Sequence, residues 1–332
     1  MFVLPRVAEV IVPRILCYRN SFALSTFRLV LPMVGVRRPL VVSLAAVCLA
    51  VLPAMAGEGP KAESPRPKDE DIKGALVIVG GGGFPDDIRD RFLQLAGGKK
   101  GHLVVIPTAS EKADRLRYFP SYEYWRTQGL ASVALLHTLD PKQANEPSFV
   151  KPLTEATAAW LDGGDQTRLA RAYHGTAVER ELRQLLARGG VIGGTSAGAS
   201  IMSDIMITGG NPHADVGEGF GFLPNVVIDQ HFQNRKRLKR LLGVLANHPR
   251  CLGLGIDEQT AVVVKGHTLT VLGKANVSVC LPPTDHDEGS VTLLKAGEER
   301  DLLQLSDSVL ARIKAPAESK PVAAKTSRAT AP

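Results

Sequence analysis

Ala75-Leu76-Val77-Ile78-Val79 carries no polar side chain on either face. A strand with one wet face alternates polar and apolar residues, so an unbroken apolar run belongs in a sheet covered on both sides. Leu103-Val104-Val105-Ile106, Ser132-Val133-Ala134-Leu135-Leu136, Ala159-Trp160-Leu161 and Gly190-Val191-Ile192-Gly193 have the same texture. Between them lie an amphipathic run ending at Leu95, a polar stretch over 114–128, and segments 149–158 and 166–188, all expected to be helical. Strand alternating with helix predicts an α/β fold, a mostly parallel sheet with helices on both faces. Past residue 200 the texture changes. Glycines around 209–221 suggest loops, Val226-Val227-Ile228 is a further strand, and 234–247 is a basic helix. Leu252-Gly253-Leu254-Gly255-Ile256 precedes three strand-like runs, 261–265, 268–273 and 276–281, separated by Gly-His and Gly-Lys turns as antiparallel hairpins near the C-terminus are.

The chain of 332 residues has 40 basic and 33 acidic residues. Residues 1–56 hold six of those arginines and one glutamate, so 34 basic and 32 acidic residues remain beyond them. The body is nearly neutral, and bulk charge gives a nucleic-acid partner no support. Arg37-Arg38, the apolar run between Pro39 and Pro53, and Ala54-Met55-Ala56 fit the three parts of an export signal, with Gly57 as the mature start. The run is shorter than the about 20 residues of a spanning helix, so no stable membrane anchor is expected; a retained anchor is the alternative. Met33 stands just ahead of Arg37-Arg38, and a start there makes 1–32 an upstream extension. The expected layout is thus a signal region 1–56, a Pro- and charge-rich linker 57–73, one catalytic domain 74–313 and a disordered tail 314–332. Cys251 and Cys280 remain after cleavage; a disulfide is allowed in an exported protein, and two buried thiols fit as well.

Gly194-Thr195-Ser196-Ala197-Gly198 follows an apolar run and precedes Ile201-Met202, the context in which a serine sits on a sharp strand-to-helix turn. Such a serine is either a nucleophile or a helix cap. A nucleophile needs a base, an orienting acid and oxyanion donors. Open parallel sheets gather ligands at the carboxyl ends of their strands. His231 follows one predicted strand, Glu258 another, and Gly163-Gly164 a third. The order with acid before histidine would use Asp257 or Glu258 with His267 or His286, which lie in turns. Asp285-His286-Asp287-Glu288 also reads as a metal loop, but nothing else completes a ligand set. Gly80-Gly81-Gly82-Gly83 lacks the acidic partner of a dinucleotide fingerprint and reads as a pocket wall or a tight turn. His102, His137, His174, His213 and His248 carry no motif and read as surface or structural residues.

Four blocks, Gly163-Gly164-Asp165-Gln166, Gly194-Thr195-Ser196-Ala197-Gly198-Ala199, Asp229-Gln230-His231-Phe232 with Arg235 and Arg237, and Gly255-Ile256-Asp257-Glu258-Gln259-Thr260-Ala261, resemble the cyanophycinase group of peptidase family S51 over residues 74–282. The aspartyl dipeptidases are its sister group. The resemblance implies a class I glutamine amidotransferase-like, flavodoxin-like fold with serine replacing cysteine at the elbow. It implies Ser196 as nucleophile, His231 as general base, Glu258 as the orienting carboxylate, and the N–H groups of Gly164 and Ala197 as the oxyanion hole. Gln166, Asp229, Gln230, Arg235, Arg237 and Arg240 would line the substrate site. Paired arginines suit substrate carboxylates, and Asp229 suits a guanidinium. The rest of the basic run reads as a solvated helix face, and Lys239 stands where a small residue is expected. The implied reaction releases β-Asp-Arg type dipeptides from an aspartyl-rich or cyanophycin-like substrate, with no metal or organic cofactor; a homodimer is compatible with it. An aspartyl dipeptidase is the second reading, and a non-catalytic binding protein on the same scaffold the third.

Overall fold

The computed structural model describes residues 73–115, 119–284 and 287–314. The expected signal region 1–56, nearly all of the expected linker 57–73, His286 of the charged loop and the expected tail beyond 314 lie outside the described residues.

The first half follows the expected alternation: β1 (Ala75–Val79), α1 (Asp86–Leu95), β2 (His102–Ile106), α2 (Pro120–Arg126), β3 (Ser132–Leu135), α3 (Pro147–Thr154), β4 (Ala158–Leu161), α4 (Gln166–Tyr173), α5 (Ala177–Ala187) and β5 (Val191–Thr195). Helices α2 and α3 are shorter than expected, and both begin on a proline, whose fixed φ and missing N–H suit a first turn. Side by side the strands run β1-β5-β4-β2-β3, each neighbouring pair parallel. The chain then continues through α6 (Ala197–Ser200), β6 (Ile205–Gly209), β7 (Asp215–Glu218), β8 (Val226–Gln230), α7 (Leu238–Asn247), β9 (Leu252–Ile256), β10 (Thr260–Lys265), β11 (Thr268–Gly273), β12 (Asn276–Leu281), β13 (Ser290–Lys295), β14 (Glu299–Asp301) and α8 (Leu302–Lys314).

Strand period two divides the core. Val77 and Val79 of β1, Leu103 and Val105 of β2, and Trp160 of β4 meet Ile88 and Phe92 of α1 and Trp125 of α2 on one face. Leu76, Ile78, Val104, Ile106 and Ile192 meet Leu169 of α4 and Leu182 and Leu185 of α5 on the other. Each of these large side chains, fully buried, contributes about 1.5–3 kcal/mol. Phe92, Trp125 and Trp160 add tilted and edge-on ring contacts with centroids 4.9–5.0 Å apart.

The later strands depart from expectation. β10, β11 and β14 extend the main sheet antiparallel from the free side of β1, making eight strands. β8 and β9 belong to a separate four-stranded sheet, ordered β13-β12-β9-β8, in which β8 and β9 are parallel. Runs 268–273 and 276–281 therefore do not pair with each other. Gly273 has a φ of 104°, and Lys274 N–H donates to Gln259 O at 3.0 Å, so the chain crosses between the sheets there. The stretch around 209–221, expected as loops, instead includes β7, which pairs antiparallel with β6 as a ribbon. Cys251 and Cys280 are buried thiols, and burial pushes Cys280 up to about 12, with the Asp229 charge acting in the same direction.

Candidate active site

β5 ends at Thr195 and α6 begins at Ala197, so Ser196 alone makes the turn. Its φ of 53° and ψ of −110° are seldom adopted by L-residues, a strain of about 1–3 kcal/mol that the surroundings must hold. Ser196 N–H donates to Val79 O of β1 at 3.0 Å. Gly198 presses against β4 so closely that a Cβ there would stand 2.1 Å from Leu161 O. Ser196 makes no side-chain cap to α6. Its hydroxyl lies 3.0 Å from His231 Nε2 instead, which removes the capping reading.

His231 directly follows β8 and also has a positive φ, 49°. Its N–H donates to Gly80 O at 2.8 Å. Its Nδ1 lies 2.5 Å from Glu258 Oε1. An ionised carboxylate only accepts, which assigns the proton to Nδ1 and leaves Nε2 to accept from the serine hydroxyl. The second Glu258 oxygen accepts from Asn234 Nδ2 at 3.3 Å. Next to it, buried Asp257 accepts the N–H groups of Gln233 and Asn276, and desolvation raises its pKa.

The tetraglycine is the wall behind this pair. A Cβ on Gly81 would stand 2.3 Å from the His231 ring, and one on Gly82 2.8 Å from the Glu258 side chain. Gln259 N–H donates to Gly81 O at 2.8 Å, so the same loop grips the chain on the far side of Glu258. On the other flank, a Cβ on Gly163 would lie 3.4 Å from that of Ser196. Among the described residues, the N–H groups of Gly164 and Ala197 donate to no protein acceptor. Asp162, just before these glycines, accepts from Ser121 and from the Trp160 side chain, and burial raises its carboxyl to about 6 against both bonds.

Of the six residues expected to line the substrate site, Arg235 alone is exposed. Asp229 has no exposed surface, and its oxygens accept from Arg240 Nε at 2.7 Å, Arg240 Nη2 at 2.5 Å and Arg237 Nη1 at 3.3 Å. It has no face to offer a substrate guanidinium. Arg240 Nη1 donates to Gly210 O at 2.7 Å. Arg237 Nη1 donates to Gln230 O at 2.6 Å and Oε1 at 2.9 Å, and its remaining donors meet no acceptor among the described residues. Desolvation lowers the Arg237 guanidinium to about 10 despite the Asp229 charge. Gln166 Nε2 donates to Ile207 O at 2.6 Å and Thr208 O at 3.2 Å, and Gln230 Nε2 to Ser200 Oγ at 3.3 Å. Within the basic run Arg237 and Arg240 are thus buried, whereas Lys236 and Lys239 are exposed as a solvated face requires.

A serine, an imidazole and a carboxylate in one hydrogen-bonded line recur on unrelated folds, so geometry alone names no family. Comparison does: residues 76–272 match the model of peptidase family S51. The chain belongs to peptidase family S51. Curated cyanophycinases from Synechococcus elongatus and Nostoc sp. are 35% and 36% identical over 225 and 227 residues, spanning 63% of this chain and 69% and 74% of theirs. A crystal structure of a peptidase from an acI-B1 Actinobacterium aligns with a TM-score of 0.55 and 25% identity over 70% of this chain and 98% of that one. The protein is a hydrolase of peptide bonds, and a serine mechanism is consistent with S51 membership.

Some parts of this S51 peptidase's site carry no sequence signal. Asn234 is one polar residue among many after His231, and Ser200 one small residue after the elbow. The tetraglycine is conspicuous, but what it faces depends on strands of another sheet. His267 stands at the wrong end: the register pairs Lys265 with Ala75, whereas Ser196 lies past Val79 at the other end of β1.

Proposed function

We propose that this S51 peptidase hydrolyses bonds at aspartyl residues of a cyanophycin-like polymer or aspartyl peptide, releasing β-Asp-Arg type dipeptides through Ser196, His231 and Glu258. The observation that carries the mechanism is the continuous line from Ser196 Oγ to His231 Nε2, 3.0 Å, and from His231 Nδ1 to Glu258 Oε1, 2.5 Å. His231 takes the hydroxyl proton as Oγ attacks the scissile carbonyl carbon. The oxyanion forms toward the N–H groups of Gly164 and Ala197. Glu258 stabilises the imidazolium, which protonates the leaving amine and leaves an acyl ester on Ser196. Water then attacks the acyl carbon as His231 takes its proton, and His231 returns that proton to Ser196 Oγ as the ester bond breaks and the acid leaves.

The substrate class is supported by the similarity to cyanophycinases and by the cations beside the base. In this reading Arg235 and the unengaged donors of Arg237 bind a substrate carboxylate. Asp229, Arg240, Gln166 and Gln230 hold the turn behind His231. The test is incubation of the protein with cyanophycin and with aspartyl dipeptides, followed by product mass. Release of dipeptides by wild type and none by Ser196→Ala is expected; equal release by both overturns the nucleophile.

The same reading makes the protein exported, supported by the signal pattern of residues 37–56. Among the described residues, no helix is long and apolar enough to cross a membrane. N-terminal sequencing of the mature protein is expected to begin at Gly57; an intact leader overturns it.

A further inference from the structure

Helix α7 carries its basic residues on two faces. Arg240 turns inward to Asp229, whereas Lys239 faces a groove of about 590 Å³ between α7 and the outer end of the β6–β7 ribbon. His213, Ala214 and Val216 line the ribbon side; Lys239, Val244 and His248 line the helix side. No acidic residue lines the groove. Asp215 falls between Ala214 and Val216, but strand alternation turns it the other way, its carboxylate against Gly209. Lys239, His213 and His248 have no side-chain partner among the described residues, unlike Arg237 and Arg240 in the same stretch.

The groove adjoins the turn that follows His231. Arg235 N–H donates to His231 O at 3.0 Å, Asn211 Nδ2 donates to Arg235 O at 3.3 Å, and the groove begins at the next residue, Pro212. Near Arg235, then, the groove offers an apolar floor with four nitrogen-bearing side chains, His213, Lys239, Asn247 and His248, and no carboxylate in its lining.

We propose that this groove is an accessory binding site for a carboxylate-bearing stretch of a polymeric substrate, separate from the site at Ser196. The proposal rests on the aspartyl-substrate reading for its ligand class, but not on the catalytic triad for its test. Poly-aspartate is titrated against the full-length Ser196→Ala protein and against the same protein carrying Lys239→Glu or His248→Ala. Lys239→Glu is expected to weaken binding about fivefold at low salt, with the difference shrinking as ionic strength rises. In the active background, Lys239→Glu is expected to raise KM on the polymer while kcat/KM on an aspartyl dipeptide stays unchanged. Equal poly-aspartate affinity with and without Lys239→Glu overturns the proposal. So does the absence of binding by Ser196→Ala, or a dimer of this chain that covers the groove and excludes poly-aspartate. Binding that depends on Lys239, in a protein whose wild type cuts no aspartyl bond, would remove the catalytic reading and leave the groove standing.

Discussion

Ser196 and its two partners are held by different means. The serine stands on the eight-stranded sheet, and everything that fixes it is local: the end of β5, the Val79 carbonyl beside it, and β4 packed on Gly198. His231 and Glu258 stand on the four-stranded sheet, past the ends of parallel neighbours whose register sets Gln230 opposite Ile256. Their placement against Ser196 is not local. It passes through Gly80, Gly81 and Gly82, which take the His231 and Gln259 N–H groups and leave room for the imidazole. The serine can thus be placed inside one sheet, while alignment of the imidazole beside it depends on a joint between two.

Removing the hydroxyl is the largest blow to the local side. Ser196→Ala is expected to lower kcat by about 10⁴–10⁶-fold with KM little changed. Single-turnover assays and a melting curve check that the fold survives. The joint is tested next. Gly81→Ala puts a methyl where the imidazole lies, at a φ of 102°. The ring must move, and kcat is expected to fall about 100-fold, since displacements near 1 Å have that effect. Gly83→Ala is the control: its φ of 81° is also strained, but nothing lies within 4 Å of the added carbon. A modest loss of stability with kcat retained is expected there. Equal kcat losses for both variants would show that the loop's flexibility, not its clearance for His231, is what matters.

The same division explains what could be read from the chain. The alternation of apolar runs and helices is a property of each segment, so the parallel sheet was legible from residues 75 to 195. The elbow was legible because its glycines, serine and flanking apolar residues are contiguous. Partition into two sheets was not, because Val226-Val227-Ile228 and Leu252-Gly253-Leu254-Gly255-Ile256 are as apolar as strands of the main sheet. Nothing in them says which neighbour they pair with. Nor does the basic run say which arginines are buried. Arg235 and Arg240 differ in sequence only by position, yet one is exposed and the other is locked onto a carboxylate without exposed surface.

That contrast gives two opposed expectations on the four-stranded side. Arg240→Ala leaves Asp229 buried with only the longer Arg237 bond, and is expected to cost about 3–5 kcal/mol of stability, read from urea midpoints. Arg235→Ala removes an exposed cation and is expected to leave the midpoint unchanged while raising KM on aspartyl substrates severalfold. If Arg235→Ala destabilises and Arg240→Ala does not, the assignment of holding and reading roles is reversed.

The smallest effect lies on the eight-stranded side, at Asp162. Its carboxyl is raised from 3.8 to about 6 because desolvation outweighs its bonds from Ser121 and Trp160. Below pH 4 the group is protonated in both folded and unfolded chains and leaves stability unaffected by pH. As pH rises to 6, the unfolded chain ionises first, so the folded state loses stability across that window and stays lower above it. Allowing for partial solvent access, the loss is about 1–2 kcal/mol. Asp162→Asn cannot ionise, so its urea midpoint is expected to rise relative to wild type between pH 4 and pH 7. A wild-type stability curve that climbs through this window in step with Asp162→Asn would mean that the carboxylate beside Gly163 is as well solvated in the fold as out of it.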